Sequence, residues 1–230
     1  MNDKYDPNHF CPSWCKCCED NLALKGNNNN IAKIISIFFC RTKGGANPII
    51  VTFAHDTSSF GYFKRRAVRE MTAFFARTFL KRTSPGLHQS VEHENYMCHC
   101  YNRPDGLGAC FVTEKEYPPR VAFVLLIRLL KEFNQKHAEQ WNAATRDIFI
   151  PFPSLDTALV KFQDPAEADK IMKIQKDLDE TVNIMHKTIG RVLERGVKLD
   201  ILVEKSDALS SQSKLFYKAA KKHNRCCTIC

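Results

Sequence analysis

The residues best equipped for chemistry lie near the C-terminus of the chain. Cys227-Thr228-Ile229-Cys230 reads as a cysteine, two uncharged residues and a last residue, which is the C-a-a-X prenylation pattern. Prenylation at Cys227 implies loss of the tail Thr228, Ile229 and Cys230, and farnesyl is the favoured lipid. Cys226 is an adjacent candidate for palmitoylation. Lys214, Lys218, Lys221, Lys222 and Arg225 precede the pair, and no acidic residue follows Asp207. One lipid chain holds a protein on a bilayer only marginally, so a second chain or a basic patch is required for stable residence. Basic residues near an anionic surface contribute about 1 kcal/mol each. The arrangement predicts a chain that moves between cytosol and membrane as Cys226 is acylated and deacylated.

Elsewhere the reactive side chains point to little catalysis. Cys11, Cys15, Cys17 and Cys18 form an N-terminal cluster without the paired C-x2-C of structural zinc sites. Cys40, Cys98, Cys100 and Cys110 fall in apolar, strand-like runs and read as buried thiols behaving as small hydrophobes. His55-Asp56 and Cys98-His99 are adjacent pairs, but neighbours on a strand face opposite ways. No phosphate loop or catalytic triad signature is present. The sequence therefore carries no catalytic residue, no metal site and no cofactor beyond covalent farnesyl and palmitoyl groups. Its 34 basic and 25 acidic residues leave a net charge of +9, suited to an anionic membrane surface or nucleic acid. A basic-zipper DNA binder needs its basic residues N-terminal to the heptads; here they are C-terminal, which excludes nucleic acid as the partner. A hydrophobic content of 44% excludes wholesale disorder. No apolar run is long enough to span a bilayer, and Met1–Asp6 lacks the apolar region of a secretory signal.

Residues 1–30 form a polar leader that ends in Gly26-Asn27-Asn28-Asn29-Asn30 and is expected to be disordered. Strands are expected at Ile31–Cys40 and Ile49–Ala54, followed by a helix over about Phe60–Lys81 capped by Ser58 or Ser59. Val68, Met71, Phe75 and Phe79 recur there at helical spacing. Gln89–Glu94, Tyr96–Asn102 and Leu107–Thr113 read as three further strands, and Pro118-Pro119 opens a buried helix to about Asn134. The class is α+β, an antiparallel sheet flanked by helices, over residues 31–135. Residues 136–164 read as a linker with a short helix.

Residues 165–225 form one long amphipathic segment, and 226–230 the lipidation signal. If wholly helical, 166–222 extends roughly 85 Å at about 1.5 Å per residue. Its 3–4 spacing selects Ile171, Ile174, Leu178, Thr181, Met185, Thr188, Val192, Arg195, Leu199, Leu202, Ser206, Leu209, Ser213, Phe216 and Ala220. That is a heptad seam in need of partner helices. Its small polar positions make it a poor homodimer. Arg195 sits on the seam, where a buried guanidinium needs acceptors for its five donors. Neutral acceptors such as glutamine from partner helices meet that need.

Asp179-Glu180-Thr181 and Val192-Leu193-Glu194-Arg195-Gly196-Val197-Lys198-Leu199, running on through Leu202, Ser206, Leu209 and Phe216, resemble the SNARE motif of synaptobrevin-type R-SNAREs. Upstream, Ile34–Phe39, Asp56–Phe63, Glu116–Phe123 and Asp164–Asp169 resemble the longin domain of the prenylated Ykt-type R-SNAREs. The resemblance covers about residues 32–230. It implies a profilin-like longin fold, with five antiparallel strands between one helix and two others, followed by a long SNARE coiled-coil helix. It implies that Arg195 forms an ionic layer with one glutamine from each of three Q-SNARE helices. It also implies fusion of vesicles in ER–Golgi, endosomal or vacuolar traffic, prenyl and palmitoyl transferases as modifying partners, and SNARE disassembly machinery. The runner-up is a non-fusogenic coiled-coil adaptor on membranes, with longin-associated acyl transfer more remote. The family further implies a closed form, and Phe60, Tyr62, Phe63 and Phe74 are the candidates for a longin groove that takes the SNARE segment or the prenyl chain.

Overall fold

The computed structural model describes residues 33–44, 47–163, 184–193 and 197–226 and, of 222–226, the backbone alone. The leader therefore lies outside the described residues. The chain forms β1 (Ile34–Arg41), β2 (Ile49–His55), α1 (Tyr62–Leu80), β3 (His88–His93), β4 (Tyr96–Asn102) and β5 (Leu107–Glu114). Two helices follow, α2 (Pro119–Ala143) and α3 (Pro153–Lys161). The C-terminal segment adds β6 (Ile184–Thr188), the single turn α4 (Ile189–Val192), α5 (Leu199–Glu204) and α6 (Ser211–Cys226). The protein is α+β, with one mixed sheet in the order β2-β1-β5-β4-β3-β6. The first five strands pair antiparallel, and β6 lies parallel to β3.

The central strands β1 and β5 are buried on both faces, which is why they read as continuous apolar runs. Ile37 and Phe39 point to α2 and α3, whereas Phe38 and Cys40 point to α1. A register shift between Ile34 and Ser36 turns Ile34 to the Ile37 side. Two cores result, one on each side of the sheet.

The structure corrects several expectations. The helix α1 opens at Gly61 without a side-chain cap, because the Ser58 hydroxyl and amide both donate to Asp56 Oδ1, at 2.6 and 2.9 Å. The helix α2 continues past Asn134 to Ala143 through a kink at His137. Buried Trp141 holds that extension, and its Nε1 donates to Asn134 Oδ1 at 3.0 Å. The stretch after α2 packs closely: Ile148 and Ile150 amides donate to Ile50 and Val51 carbonyls, at 3.0 and 2.8 Å, and so satisfy the open edge of β2. Phe152, Leu155, Leu159 and Phe162 then enter the core.

The largest correction concerns the C-terminal segment. Its described residues form a strand and three helices, not one long helix, and the sheet has six strands where five were expected. The physical reason is burial. A lone helix leaves its apolar seam in water, and folding back against β3 and α1 recovers roughly 25 cal/mol for each Å² of apolar surface removed from water.

Candidate functional site: the face that receives the C-terminal segment

The face is built by α1 and the open edge of β3. Along that edge Ile184 pairs with His88, Met185 with Gln89 and Thr188 with Glu92. The segment then crosses to α1, where Val192, Leu193, Leu199, Val203, Leu209 and Tyr217 are buried with Met71, Phe75 and Phe79. Phe74, Leu202 and Phe216 are half-buried against the same cluster.

Polar contacts fix the arrival of α6. Glu70 Oε2 accepts from the Ser210 amide at 3.0 Å and the Ser213 hydroxyl at 2.7 Å, and Arg66 Nε donates to Oε1 at 2.9 Å. Burial opposes ionisation of Glu70, but the hydrogen bonds from Ser210, Ser213 and Arg66 outweigh it and hold the carboxyl down at about 2. Glu70 thereby caps the first turn of α6, favourable for an anion at a helix N-terminus. Further along, Tyr217 Oη donates to Asp200 Oδ1 at 2.9 Å, and its ring stacks on His93 with centroids 6.1 Å apart. Lys221 pairs with Asp200, and Lys218 with Glu204 at 2.8 Å, joining α5 to α6. Beneath α6 lies an apolar cavity of about 100 Å³, lined by Phe60, Met71, Phe75, Tyr96, Phe216 and Ala220 among others.

The seam residues fall in three groups. Val192, Leu199 and Leu209 are buried at this face, and Leu202 and Phe216 are half-buried there. Met185 lies in β6. Ile171, Ile174, Leu178 and Arg195 lie outside the described residues, as do Cys227, Thr228, Ile229 and Cys230; Cys226 is the last residue of α6. Of the groove candidates, Phe60 lines the cavity and Phe74 is half-buried against the core cluster that the docked segment joins. Tyr62 and Phe63 point outward, with 78% and 82% of their surface exposed. Sequence reasoning missed Glu70, Val203 and Tyr217. Glu70 precedes Phe74 by one helical turn, so its position on the rim of that flank was available from spacing alone.

The described residues hold no group of three or more metal-ligating side chains, and none of the described helices is long and apolar enough to cross a membrane. The four buried thiols are poor nucleophiles: burial pushes Cys40 up to about 12, and Cys98, Cys100 and Cys110 are raised as well.

A longin sheet that carries its own heptad segment defines a longin-type SNARE, and comparison with known proteins agrees. The family model for the longin, or regulated-SNARE-like, domain matches residues 57–159, and the synaptobrevin model matches residues 170–229. The chain is 53% identical over 184 residues to the VAMP-like protein YKT61 of Arabidopsis thaliana, covering 80% of this chain and 92% of the relative. It is 50% identical over 177 residues to the synaptobrevin homolog ykt6 of Schizosaccharomyces pombe, covering 76% and 89%. With the synaptobrevin homolog YKT6 of Saccharomyces cerevisiae it shares 45% over 188 residues, covering 81% and 94%. The chain belongs to the Ykt6 family of longin-domain synaptobrevins. It is a SNARE of vesicle traffic, acting with other SNAREs and with membranes, and not an enzyme.

Proposed function

We propose that this chain is an R-SNARE that drives vesicle docking and fusion by zippering its C-terminal segment with three Q-SNARE helices, and that its longin domain holds that segment inactive until it is needed. The observation that carries the proposal is the burial of Val192, Leu199 and Leu209 against α1 and the sheet. These are heptad-seam residues, and a residue buried at the longin face is unavailable to a four-helix bundle. Closed and zippered states therefore exclude one another, and a balance of a few kcal/mol suffices for partners or membrane to open the molecule.

In this reading residues 31–135 form the longin domain, 136–164 connect it and 165–225 form the R-SNARE motif. Arg195 supplies the ionic layer, and Cys227 and Cys226 carry prenyl and palmitoyl groups. The chain then shuttles between cytosol and the cytoplasmic face of ER, Golgi, vesicle and endosomal or vacuolar membranes, and the disassembly machinery recycles it.

The test is assembly with candidate Q-SNAREs, followed by melting of the complex. Arg195→Ala should lower the melting temperature of the complex and leave the longin domain folded, with Arg195→Gln milder because its amide still shares hydrogen bonds. Unchanged melting and unchanged fusion in Arg195→Ala would defeat the proposed layer. Cys227→Ser should make the chain wholly soluble in a membrane-pelleting assay, and pelleting at the parent level would remove the lipid from the proposal.

A further inference from the structure

Tyr62 and Phe63 open α1, yet neither enters the core or the docking face. Their rings contact each other at a centroid separation of 5.5 Å and are among the most exposed large side chains described. A single exposed aromatic is ordinary, but an adjacent pair projecting from a rigid helix end is a hydrophobic protrusion. Its surroundings are cationic. Lys64, Arg65, Arg66 and Arg69 follow within two turns, and the first turn of α1 contains no acidic residue. Arg66 is engaged with Glu70, and Arg65 donates to the Phe60 carbonyl at 3.0 Å. Exposed Lys64 and Arg69 form no ion pair with any described residue. Helical spacing places Tyr62, Arg66 and Arg69 on one outward stripe, with Phe63 beside it.

The direction of α6 adds a second observation. Its first turn meets Glu70, whereas Phe216 and Ala220, further along, share a cavity with Phe60, just ahead of α1. The end of α6 therefore runs toward the same end of the molecule as Tyr62 and Phe63.

We propose that Tyr62-Phe63 with Lys64 and Arg69 form a membrane-contact site of the longin domain, specific for an anionic lipid surface. The rings enter the headgroup region, where aromatic side chains partition well, and the two exposed cations meet lipid phosphates and carboxylates. Charge complementarity selects the partner: an anionic bilayer engages both the protruding aromatic pair and the exposed cations Lys64 and Arg69 beside it. The site is separate from the lipid anchor proposed above and is testable without it.

The experiment uses the full chain without lipid modification and vesicles of phosphatidylcholine with or without phosphatidylserine. Parent protein should bind the phosphatidylserine vesicles and be released by salt. Tyr62→Ser with Phe63→Ser should weaken that binding by about tenfold, and Lys64→Gln with Arg69→Gln should weaken it and flatten its salt dependence. All four side chains are exposed, so both variants should keep the parent circular dichroism. Phe63→Trp should show a blue-shifted emission, relative to parent, on anionic vesicles and be quenched by brominated lipid. The proposal is overturned if the serine variant binds as the parent does, if binding ignores phosphatidylserine, or if the tryptophan emission stays unshifted. Loss of SNARE assembly with parent-like vesicle binding in the serine variant would also overturn it and assign the patch to a protein partner.

Discussion

The two sides of the sheet are held together differently. On the α2 and α3 side the core is a continuous bed of large side chains from residues 34–162, with Phe39, Phe111, Phe123, Phe133 and Trp141 almost completely buried. On the α1 side the core holds four thiols and a cavity, and part of it is supplied by the C-terminal segment through Val192, Leu193, Leu199, Val203, Leu209 and Tyr217. That segment is pinned to α1 by hydrogen bonds from Ser210 and Ser213 to Glu70 as well as by apolar contact. In the proposed function the first core stays shut and the second releases. Parting a densely packed aromatic core exposes a large apolar area, whereas a face that includes thiols, a void and a polar clasp has less to lose on separation.

The comparison breaks most severely if the permanent core is cut. Phe133→Ala should cost about 3–5 kcal/mol and lower the thermal midpoint of the whole longin domain. A loss confined to the C-terminal segment would show that the two sides are not distinct. Phe74→Glu should cost less and act elsewhere. It should raise amide exchange across β6, α4, α5 and α6, speed entry into SNARE complexes and leave exchange in β1 and β5 unchanged. Equal exchange in parent and Phe74→Glu around Met185–Leu199 would mean that the longin domain does not clamp the segment.

Glu70→Ala should weaken closure by about 1–3 kcal/mol, since it leaves the Ser210 amide and the Ser213 hydroxyl without their acceptor. Because the folded carboxyl is held down at about 2, its contribution is complete above the ordinary glutamate range. It should fade as pH falls below about 4.5 and vanish near the lower value. Exchange of α6 amides against pH reads this directly, and Glu70→Ala should remove that part of the profile.

The sheet has its own acid response. His99 lies between Ser90 and Thr113, with ring nitrogens 2.8 and 3.1 Å from their hydroxyl oxygens. Burial, with a smaller contribution from His186, pushes His99 down to about 3. The unfolded chain binds that proton first, so domain stability should fall as pH drops below about 6.5 and continue to fall toward 3. Urea titrations at stepped pH would reveal it, and a flat profile would place His99 in a more polar setting. The smallest effect is expected at the surface: Lys218→Ala, which removes the exposed pair with Glu204, should leave closure close to the parent's, read as unchanged amide exchange in α6.

Much of this was legible before any coordinates. Alternating and continuous apolar runs marked β1 to β5, helical spacing marked α1, and Pro118-Pro119 marked the start of α2, because these signals arise from local periodicity and from a ring that lacks an amide hydrogen. The heptad seam, Arg195 and the Cys226-Cys227 pair are readings of side-chain type and interval alone, and Arg195 and Cys227 lie outside the described residues. The Glu70 clasp, the parallel pairing of β6 with β3, the extension of α2 to Trp141 and the outward turn of Tyr62 and Phe63 were not legible in that way. Each depends on which distant surface a residue meets. The C-terminal segment shows why. Its sequence specifies an apolar seam that must be covered, and that requirement holds in every state. In the proposed function, the choice between partner helices and the longin face for that cover is a difference of a few kcal/mol in competing burial. That difference exists only once the sheet edge at β3 and the flank of α1 have been brought together in space.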